Sequence, residues 1–243
     1  MKSYWKTSLE EQAIWLLEFT KIHSSFPADE TEAREAAILA HQFPAIFLPP
    51  EEDDMLVGKF HYPPLSFTPQ PAGDRGGFAY VSDPRLLKEL KDKLRDSELK
   101  QQLKETEDYW MEHDTGQQTR KAYPPEIATL LPSDNWTGEP GIGFPLLRMS
   151  GSQLDYDKLM KLGIQGLEKE ILDKKTRLPE SSKLFTAMSG ALNALKQVII
   201  FYERAVRDLM IRSKTIDKSL HFETLAKALE HIREHPPGTL LEG

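Results

Sequence analysis

The chain has 243 residues, of which 28% are charged and 39% hydrophobic, and its formal net charge is −7. This composition is typical of a globular protein with a sizeable core, in one large domain or two small ones. The absence of cysteine excludes disulfides and thiolate metal sites and fits a reducing cytoplasm. The acidic balance argues against nucleic acid as a main partner. Uninterrupted apolar runs fall short of the roughly 20 residues of a membrane span, and the amino terminus does not resemble a secretory signal.

Two helices are predicted first along the chain. Ser8 and Glu11 have capping-box spacing, so each side chain can satisfy a backbone N–H at the start of a helix. The apolar face of this first helix consists of Trp15, Leu16, Phe19 and Ile22. A second helix is predicted after Pro27, with Asp29 as its cap. Small side chains on one face of it indicate close packing against another helix, and these are Ala33, Ala36, Ala37 and Ala40.

Residues Phe43 to Tyr80 have a different character, because proline and glycine interrupt them repeatedly. Proline removes backbone donors and breaks helices, so this segment is predicted to be extended and irregular. Only Met55–Gly58 and Phe78–Val81 are predicted as short strands. A connection of this length inside a compact domain is usually functional or wraps over something larger.

Asp83-Pro84 predicts the restart of helix, with aspartate as cap and proline at the first helical position. The pattern predicts a break near Asp96 and a second irregular stretch over Gly116–Pro145. The apolar positions of this helical region are Leu87, Leu90, Leu94, Leu99, Leu103, Thr106 and Trp110.

The last third has the most regular pattern. Asp155 can cap a helix that contains Gly163 and Gly166, and glycine inside a helix suggests a close backbone contact. Long antiparallel helices are predicted at 182–212 and 218–234. The three- and four-residue spacing in the first of them runs through Phe185, Met188, Leu192, Leu195, Ile199, Tyr202, Val206 and Leu209. The shared seam is predicted to be Phe185, Leu192, Ile199 and Val206 against Phe222, Leu225 and Leu229. If Leu195 is buried there, its change to alanine costs about 2–5 kcal/mol.

Candidate chemistry in the sequence is sparse. His231 and His235 are four residues apart, and either bind a metal or interact with the end of a helix dipole, which is the favoured interpretation. Glu51–Asp54 is either a cation site or, as favoured, a solvated turn. The glycines of Gly138–Gly143 lack the strand and basic residue that a phosphate-binding loop needs. No metal site is therefore predicted.

Four stretches, in this order, resemble the amino-terminal part of glycyl radical enzymes of the pyruvate formate-lyase type. Glu52–Gly58 is similar to an early "DDELIVG" stretch, and Leu154–Glu170 to a "PDYxKLLxLGLxGLxxE" helix. Phe185–Ala205 resembles a long helix ending in "fxeRya", and Pro236–Glu242 resembles "PPxTFxEALQ". Their order carries the resemblance, because each motif alone is unspecific.

The resemblance implies a mainly α, multi-helical fold with long antiparallel helices and irregular Pro/Gly-rich connections. It implies one helical region over 1–243, with helices and wrapping loops at 1–145 and a long-helix bundle at 146–243. The catalytic barrel would be absent. The family's chemistry runs through a cysteine thiyl radical, and this chain has no cysteine, so it is expected to have no catalytic residues of its own.

In the family, the turn before the "DY" helix contacts substrate, often through histidine or arginine. The matching positions here are Ser150, Gly151 and Ser152, and Arg148 lies two or more residues earlier. The candidate substrate-binding residues that the resemblance implies are therefore Arg148, Ser150 and Ser152. Since the family's histidine or arginine is missing from the turn, any contact would come from hydroxyls or backbone.

The leading hypothesis is a portion of a cytoplasmic, anaerobic glycyl radical enzyme that cleaves C–C, C–N or C–O bonds. Such an enzyme needs no organic cofactor in this chain, because an iron–sulfur S-adenosylmethionine activase installs the radical on a backbone glycine. The implied partners are the missing barrel or a second chain, the activase, and a second copy in a homodimer. The chain would be truncated, one part of a split enzyme, or a decayed reading frame.

The alternative hypothesis is a stand-alone helical protein-interaction module. As a fragment, the chain is expected to expose apolar side chains that a barrel would cover, which are Phe47, Phe60, Tyr62, Phe67, Trp136 and Phe144.

Overall fold

A computed structural model describes residues 3–69, 78–130 and 155–242. Helices dominate these residues and the sheet has two strands, so the prediction of a mainly α fold is confirmed. The α-helices are α1 (Leu9–Ser25), α2 (Thr31–Gln42), α3 (Pro84–Lys93), α4 (Ser97–His113), α5 (Thr115–Lys121), α6 (Pro125–Ala128), α7 (Tyr156–Arg177), α8 (Ser182–Arg212) and α9 (Ile216–Glu234). The strands are β1 (Leu65–Pro69) and β2 (Phe78–Ser82).

The chain forms two compact units. Unit 1 takes its described residues from Met1–Thr7, Lys21–His61 and Leu154–Gly243, and unit 2 takes them from Ser8–Thr20 and Tyr62–Gln153. Both units draw on the first 145 residues. The division of one helical region into parts 1–145 and 146–243 stays a prediction.

The hairpin of α8 and α9 forms the core of unit 1. The predicted bounds of α8 are confirmed, and α9 begins two residues before its predicted start. Arg233 pairs with Glu203 and Arg207 pairs with Glu230, both at 2.9 Å, so the two helices run antiparallel. The buried cluster between them and α7 consists of Ile164, Val198, Ile199, Tyr202, Val206, Phe222, Leu225, Ala226 and Leu229.

The predicted seam is wrong at its amino-terminal end. Leu195 is 36% exposed and Met188 is 43% exposed, although both follow the heptad pattern. Phe185 is buried but lies outside the main cluster. Met188 lines an open cavity between α7 and α8, and Leu195 lines one between α7, α8 and the end of α9, so no helix among the described residues covers them. The expected cost of Leu195→Ala is therefore smaller than a fully buried leucine would give.

Apolar composition alone makes the region of α8 resemble a membrane span. The segment Pro179–Arg212 contains an 18-residue window of mean hydropathy 1.4, of which 22% is buried. Polar residues scattered through this segment interrupt its apolar runs, so no uninterrupted run reaches the length of a membrane span. α8 packs against α2, α7 and α9, and a single helix of this composition is weak evidence for a membrane span.

Gly163 lets two backbone segments meet. Its φ is +61°, and a Cβ there would lie 2.8 Å from the backbone nitrogen of Pro236. The predicted close contact at Gly163 is confirmed, and α7 kinks at this residue. The same prediction for Gly166 is wrong, because an added Cβ would meet Leu162 of its own helix.

Helix α2 packs closely against α8, as its alanine stripe predicted. An added Cβ at Gly190 would lie 3.6 Å from the Cβ of Ala36. The predicted cap is wrong, since Glu30 occupies the N-cap position and makes no side-chain capping bond. A turn in which Glu30 N–H donates to the carbonyl of Pro27 places the start of the helix beyond Asp29.

Unit 2 begins with the capping box of α1. Ser8 N–H donates to Glu11 Oε2 at 2.9 Å, and Glu11 N–H donates to Ser8 Oγ at 3.1 Å, which confirms the prediction. Phe19 is fully buried and its ring lies 5.7 Å from that of Trp110. The Trp110 indole N–H donates to Thr20 Oγ1 at 2.9 Å. These bonds join α1 to α4.

The sheet corrects the interpretation of residues 43–80. β2 confirms the predicted strand at Phe78–Val81, whereas Met55–Gly58 is not a strand. β1 was not predicted, because prolines flank it, yet it pairs antiparallel with β2 from Leu65 opposite Ser82. Phe67 lies on the buried side of β1 and is 6% exposed, so its predicted exposure is wrong, whereas Phe60 is 47% exposed.

The predicted cap of α3 is confirmed, and an aspartate at the predicted break also caps α4. Asp83 accepts hydrogen bonds from two backbone N–H groups at 3.0 Å, and Asp96 does the same at the predicted break. The irregular stretch predicted over Gly116–Pro145 is wrong in its described part, which contains most of α5 and all of α6. Asp114 caps α5 and also accepts from Ser82 N–H at 2.8 Å, which ties this short helix to β2.

Candidate functional site

The substrate-binding residues that the sequence suggested, Arg148, Ser150 and Ser152, lie outside the described residues. So do the glycines of Gly138–Gly143 and the aromatic residues Trp136 and Phe144. Within the described residues, the candidate site is therefore a cavity lined by the elements of unit 1.

This cavity, called here the α2–α8 cleft, has a volume of about 420 Å³. The end of α2, the turn after it, the amino-terminal 3-10 turn Tyr4–Lys6 and the second half of α8 form its walls. Its apolar lining consists of Ala40, Phe43, Pro44, Pro49, Ile200, Phe201 and Ala205. Its polar lining consists of Ser3, Lys6, Gln197, Arg204 and Asp208. A cavity of this size with few polar groups is typical of small-molecule sites.

Backbone hydrogen bonds fix the amino-terminal wall of the cleft. Tyr4 N–H donates to the carbonyl of Ala45 at 2.8 Å, and the Ser3 hydroxyl approaches the same oxygen at 3.5 Å. Tyr4 is 3% exposed, and this burial raises the pKa of its phenol. The buried tyrosine anchors the 3-10 turn, which places Lys6 at the edge of the cleft.

The segment after the cleft is fixed to α8 through Tyr202. Its hydroxyl donates to the carbonyl of Lys59 at 2.9 Å, and its ring meets that of Phe47 edge-on at 5.8 Å. Burial raises the pKa of Tyr202 to about 12, so the phenol stays protonated and able to donate at neutral pH. Residues 47–59 are therefore held on the core rather than left without contacts.

The acidic residues Glu51–Asp54 form a turn in which Asp53 and Asp54 each pair with a lysine. Asp54 accepts from Lys59 and, at 2.9 Å, from the backbone N–H of Glu51, and the lysine holds the pKa of this carboxyl below its usual value. Lys218 of α9 pairs with Asp53 at 2.9 Å. No group of three or more metal-ligating side chains with suitable geometry exists among the described residues. The favoured interpretation, a solvated turn, agrees with this arrangement.

The histidine pair lies where α9 ends. The rings of His231 and His235 are 5.0 Å apart, and His231 Nε2 lies 3.2 Å from the carbonyl of Pro236 and 3.9 Å from Glu242. Glu242 accepts from the backbone N–H groups of Gly238 and Thr239. These contacts close the turn after α9 and do not assemble a metal site among the described residues.

Two further cavities, called here the α7–α8 groove, are almost wholly apolar. One of about 300 Å³ lies near Met188, and one of about 200 Å³ lies near Leu195. Lys158 and Lys174 both pair with Glu170 at the rim, so one net positive charge remains beside the groove. The groove presents apolar surface that the described residues of unit 1 do not cover.

Comparison with known proteins decides the family. The pyruvate formate lyase-like family model matches residues 1–243. The chain belongs to the pyruvate formate lyase-like family. No curated protein matches the sequence.

Three solved structures illustrate the fold that this chain shares with known proteins. A glycerol-bound B12-independent glycerol dehydratase from Clostridium butyricum is 20% identical with a TM-score of 0.63. A structure concerning 1,2-propanediol dehydration in Roseburia inulinivorans is 14% identical, with a TM-score of 0.64. A glycyl radical enzyme from Archaeoglobus fulgidus is 16% identical, with a TM-score of 0.62. At these identities the likeness shows the fold.

The chain spans about a third or less of these proteins. The matches cover 96%, 95% and 97% of this pyruvate formate lyase-like chain, but 30%, 29% and 32% of the solved chains.

Sequence reasoning missed the α2–α8 cleft, although a signal for it was present. Gln197, Phe201, Arg204 and Asp208 recur at three- and four-residue spacing, so they share a face of α8. The heptad pattern of Ile199, Tyr202 and Val206 predicts a buried surface only on the opposite face of α8. The wall contributed by Lys6 could not be inferred, because it depends on a contact between positions 4 and 45.

Proposed function

We propose that this chain is the amino-terminal helical portion of a pyruvate formate lyase-like glycyl radical enzyme and is not catalytic on its own. The observation that carries the proposal is the match of nearly the whole chain to about 30% of each solved structure. The order of the four sequence motifs supports the amino-terminal position.

The lack of cysteine supports the second half of the proposal. Chemistry in this family runs through a thiyl radical, and the 243 residues contain no sulfhydryl group on which to form one. In the assembled enzyme, polypeptide beyond this chain supplies the thiol and the glycine that stores the radical. The reaction class is radical cleavage of a C–C, C–N or C–O bond.

The partners of the proposed enzyme follow from this role. They are the remaining catalytic polypeptide, an iron–sulfur S-adenosylmethionine activase and a second copy in a homodimer. The enzyme works in the cytoplasm under anaerobic conditions, and this chain holds no cofactor of its own.

We also propose that the turn containing Arg148, Ser150 and Ser152 contacts substrate in the assembled enzyme. The serine hydroxyls can hydrogen-bond a polar substrate, and the guanidinium can bind a carboxylate or phosphate. In the complete enzyme, Ser150→Ala and Ser152→Ala should raise KM more than they lower kcat. Unchanged kinetics for both serine variants and for Arg148→Gln would contradict this role.

The activity proposal is tested by electron paramagnetic resonance under anaerobic conditions. The purified chain, the activase and S-adenosylmethionine should give no glycyl radical signal, whereas a complete glycyl radical enzyme treated in parallel should. In a second sample, the chain is mixed with the separately produced polypeptide encoded downstream of it. A signal from the chain alone, or no signal from the mixture, contradicts the proposal and favours a stand-alone interaction module.

A further inference from the structure

The α2–α8 cleft brings together charges that lack partners. Within residues 3–69, 78–130 and 155–242, neither Lys6 nor Arg204 has an ion-pair partner. Three other basic residues of α8, Lys183, Lys196 and Arg207, pair with glutamates, whereas Arg212, outside the cleft, makes no ion pair with the described residues. Two cations that form no ion pair in the described ranges therefore line one cavity.

The net charge of the lining limits what can bind. Asp208 also lines the cleft and makes no ion pair in the described part of the chain. Two cations and one carboxylate leave a single net positive charge. A ligand with one negative charge neutralises this lining, whereas a dianion leaves one uncompensated negative charge beside Asp208 and costs more to desolvate.

The apolar lining of the cleft indicates that its ligand has an apolar part as well as a charged group. Phe43 and Phe201 present ring surface, and Pro44 and Pro49 present rigid apolar surface. A ligand that gains from both parts of the cleft has a compact apolar body beside its anionic group. A volume of about 420 Å³ accommodates such a molecule.

We propose that the α2–α8 cleft binds a small monocarboxylate with an apolar body. Arg204 holds the carboxylate through paired N–H donors, as guanidinium groups do. Lys6 adds a second charge from the amino-terminal turn, and the apolar body lies between Phe43, Pro44 and Phe201. This inference goes beyond the proposed radical chemistry.

Binding is tested by NMR titration of the isotope-labelled full chain with sodium 3-phenylpropionate. Saturable amide shifts are expected at residues that line the cleft, with a Kd of roughly millimolar strength for a ligand of this size. The uncharged analogue 3-phenylpropan-1-ol should bind at least about fivefold more weakly, because it has no carboxylate for the cations. Absence of saturable shifts, shifts confined to other residues, or equal affinity for the alcohol overturns the proposal.

Substitutions test which charged side chains of the cleft bind the carboxylate of the ligand. Arg204→Gln and Lys6→Gln should each weaken 3-phenylpropionate binding about fivefold or more. Arg212→Gln is the matched control, since Arg212 is an exposed arginine of the same helix outside the cleft, and it should leave binding unchanged. Unchanged affinity in both cleft variants, or an equal loss in the control, overturns the proposal.

Asp208→Asn tests charge selection. It should improve binding of phenyl phosphate, a dianion, relative to 3-phenylpropionate, whereas no change in that ratio overturns the monoanion preference. A polypeptide carboxylate is examined with the blocked dipeptide acetyl-Phe-Glu-amide. If this peptide binds tenfold more tightly than 3-phenylpropionate, the occupant is a protein segment and the small-molecule proposal is wrong.

Discussion

The two halves of α8 carry the same apolar pattern but differ in what covers them. In the second half, Val198, Ile199, Tyr202 and Val206 are each at most 7% exposed, because α9 packs along them. In the first half, the apolar side chains Leu184, Met188 and Leu195 are 36% to 43% exposed.

This difference shows what a heptad pattern can establish. Spacing determines which face of a helix is apolar, but whether that face is buried depends on a partner elsewhere in the fold. For the second half of α8, the partner is the next helix in the chain. For the first half, the α7–α8 groove is open in a chain that spans about 30% of the solved structures it matches.

The largest expected effect separates the two halves by stability. Phe222 is 1% exposed within the core of the hairpin, so Phe222→Ala should lower the free energy of unfolding by about 3–5 kcal/mol. Leu195→Ala should cost about 1–2 kcal/mol, because the leucine is partly in solvent already. Chemical denaturation of both variants measures this. Equal losses would show that the first half of α8 is as well covered as the second.

Two glycines give the next largest contrast. Gly163→Ala forces a side chain into a positive φ and against the Pro236 backbone, so a loss of about 1–3 kcal/mol is expected. Gly190→Ala is the matched control, because the added Cβ makes ordinary contact with Ala36, and a gain of up to about 1 kcal/mol is expected. Thermal unfolding of the two variants compares them. A neutral Gly163→Ala would contradict the close approach at the kink of α7.

Two aspartates that the sequence predicted as helix caps should differ in how much they contribute to stability. Asp155 accepts from Lys158 N–H at 2.9 Å at the start of α7, so Asp155→Ala should cost about 1 kcal/mol. Asp29 lies outside α2 and caps nothing there, so Asp29→Ala should change stability by less than about 0.5 kcal/mol. Urea denaturation of both variants decides, and a reversed order would restore the sequence-based cap.

The smallest expected effect is a pH dependence at the turn after α9. The Gly238 N–H bond lowers the pKa of the Glu242 carboxyl most, and nearby His231 and Thr239 add to this. A depressed carboxyl pKa stabilises the turn above the pKa of the unfolded chain, and the contribution is lost as pH falls through the lower folded value. Carboxyl chemical shifts should give Glu242 a midpoint below the ordinary glutamate value, and Gly238 amide exchange should accelerate, relative to its intrinsic rate, as Glu242 protonates. A Glu242 titration midpoint at the ordinary glutamate value would contradict a stabilising role for this carboxylate in the turn.

Local signals in the sequence predicted much of the fold. The capping box at Ser8 and the aspartate caps at Asp83 and Asp155 depend on bonds within a few residues, so spacing alone predicts them. The seam of α8 and α9 follows from periodicity. These elements settle the long-helix architecture before any distant contact is known.

The remainder depends on contacts between distant positions. β1 has proline on both sides, so only its pairing with β2 identifies it as a strand. The exposure of Leu195 reflects a missing partner, and the α2–α8 cleft requires the amino terminus to meet position 45. Local pattern carries no information about any of these.

Hydrogen exchange along α8 tests most directly whether this chain is part of a larger assembly. The purified chain is measured at a concentration where its mass in solution is that of a monomer. Because a helix with few buried contacts opens locally at low cost, amides of residues 186–195 should exchange much faster than those of residues 198–207. Equally slow exchange in the two halves of a monomer would contradict the account and support a self-sufficient helical protein.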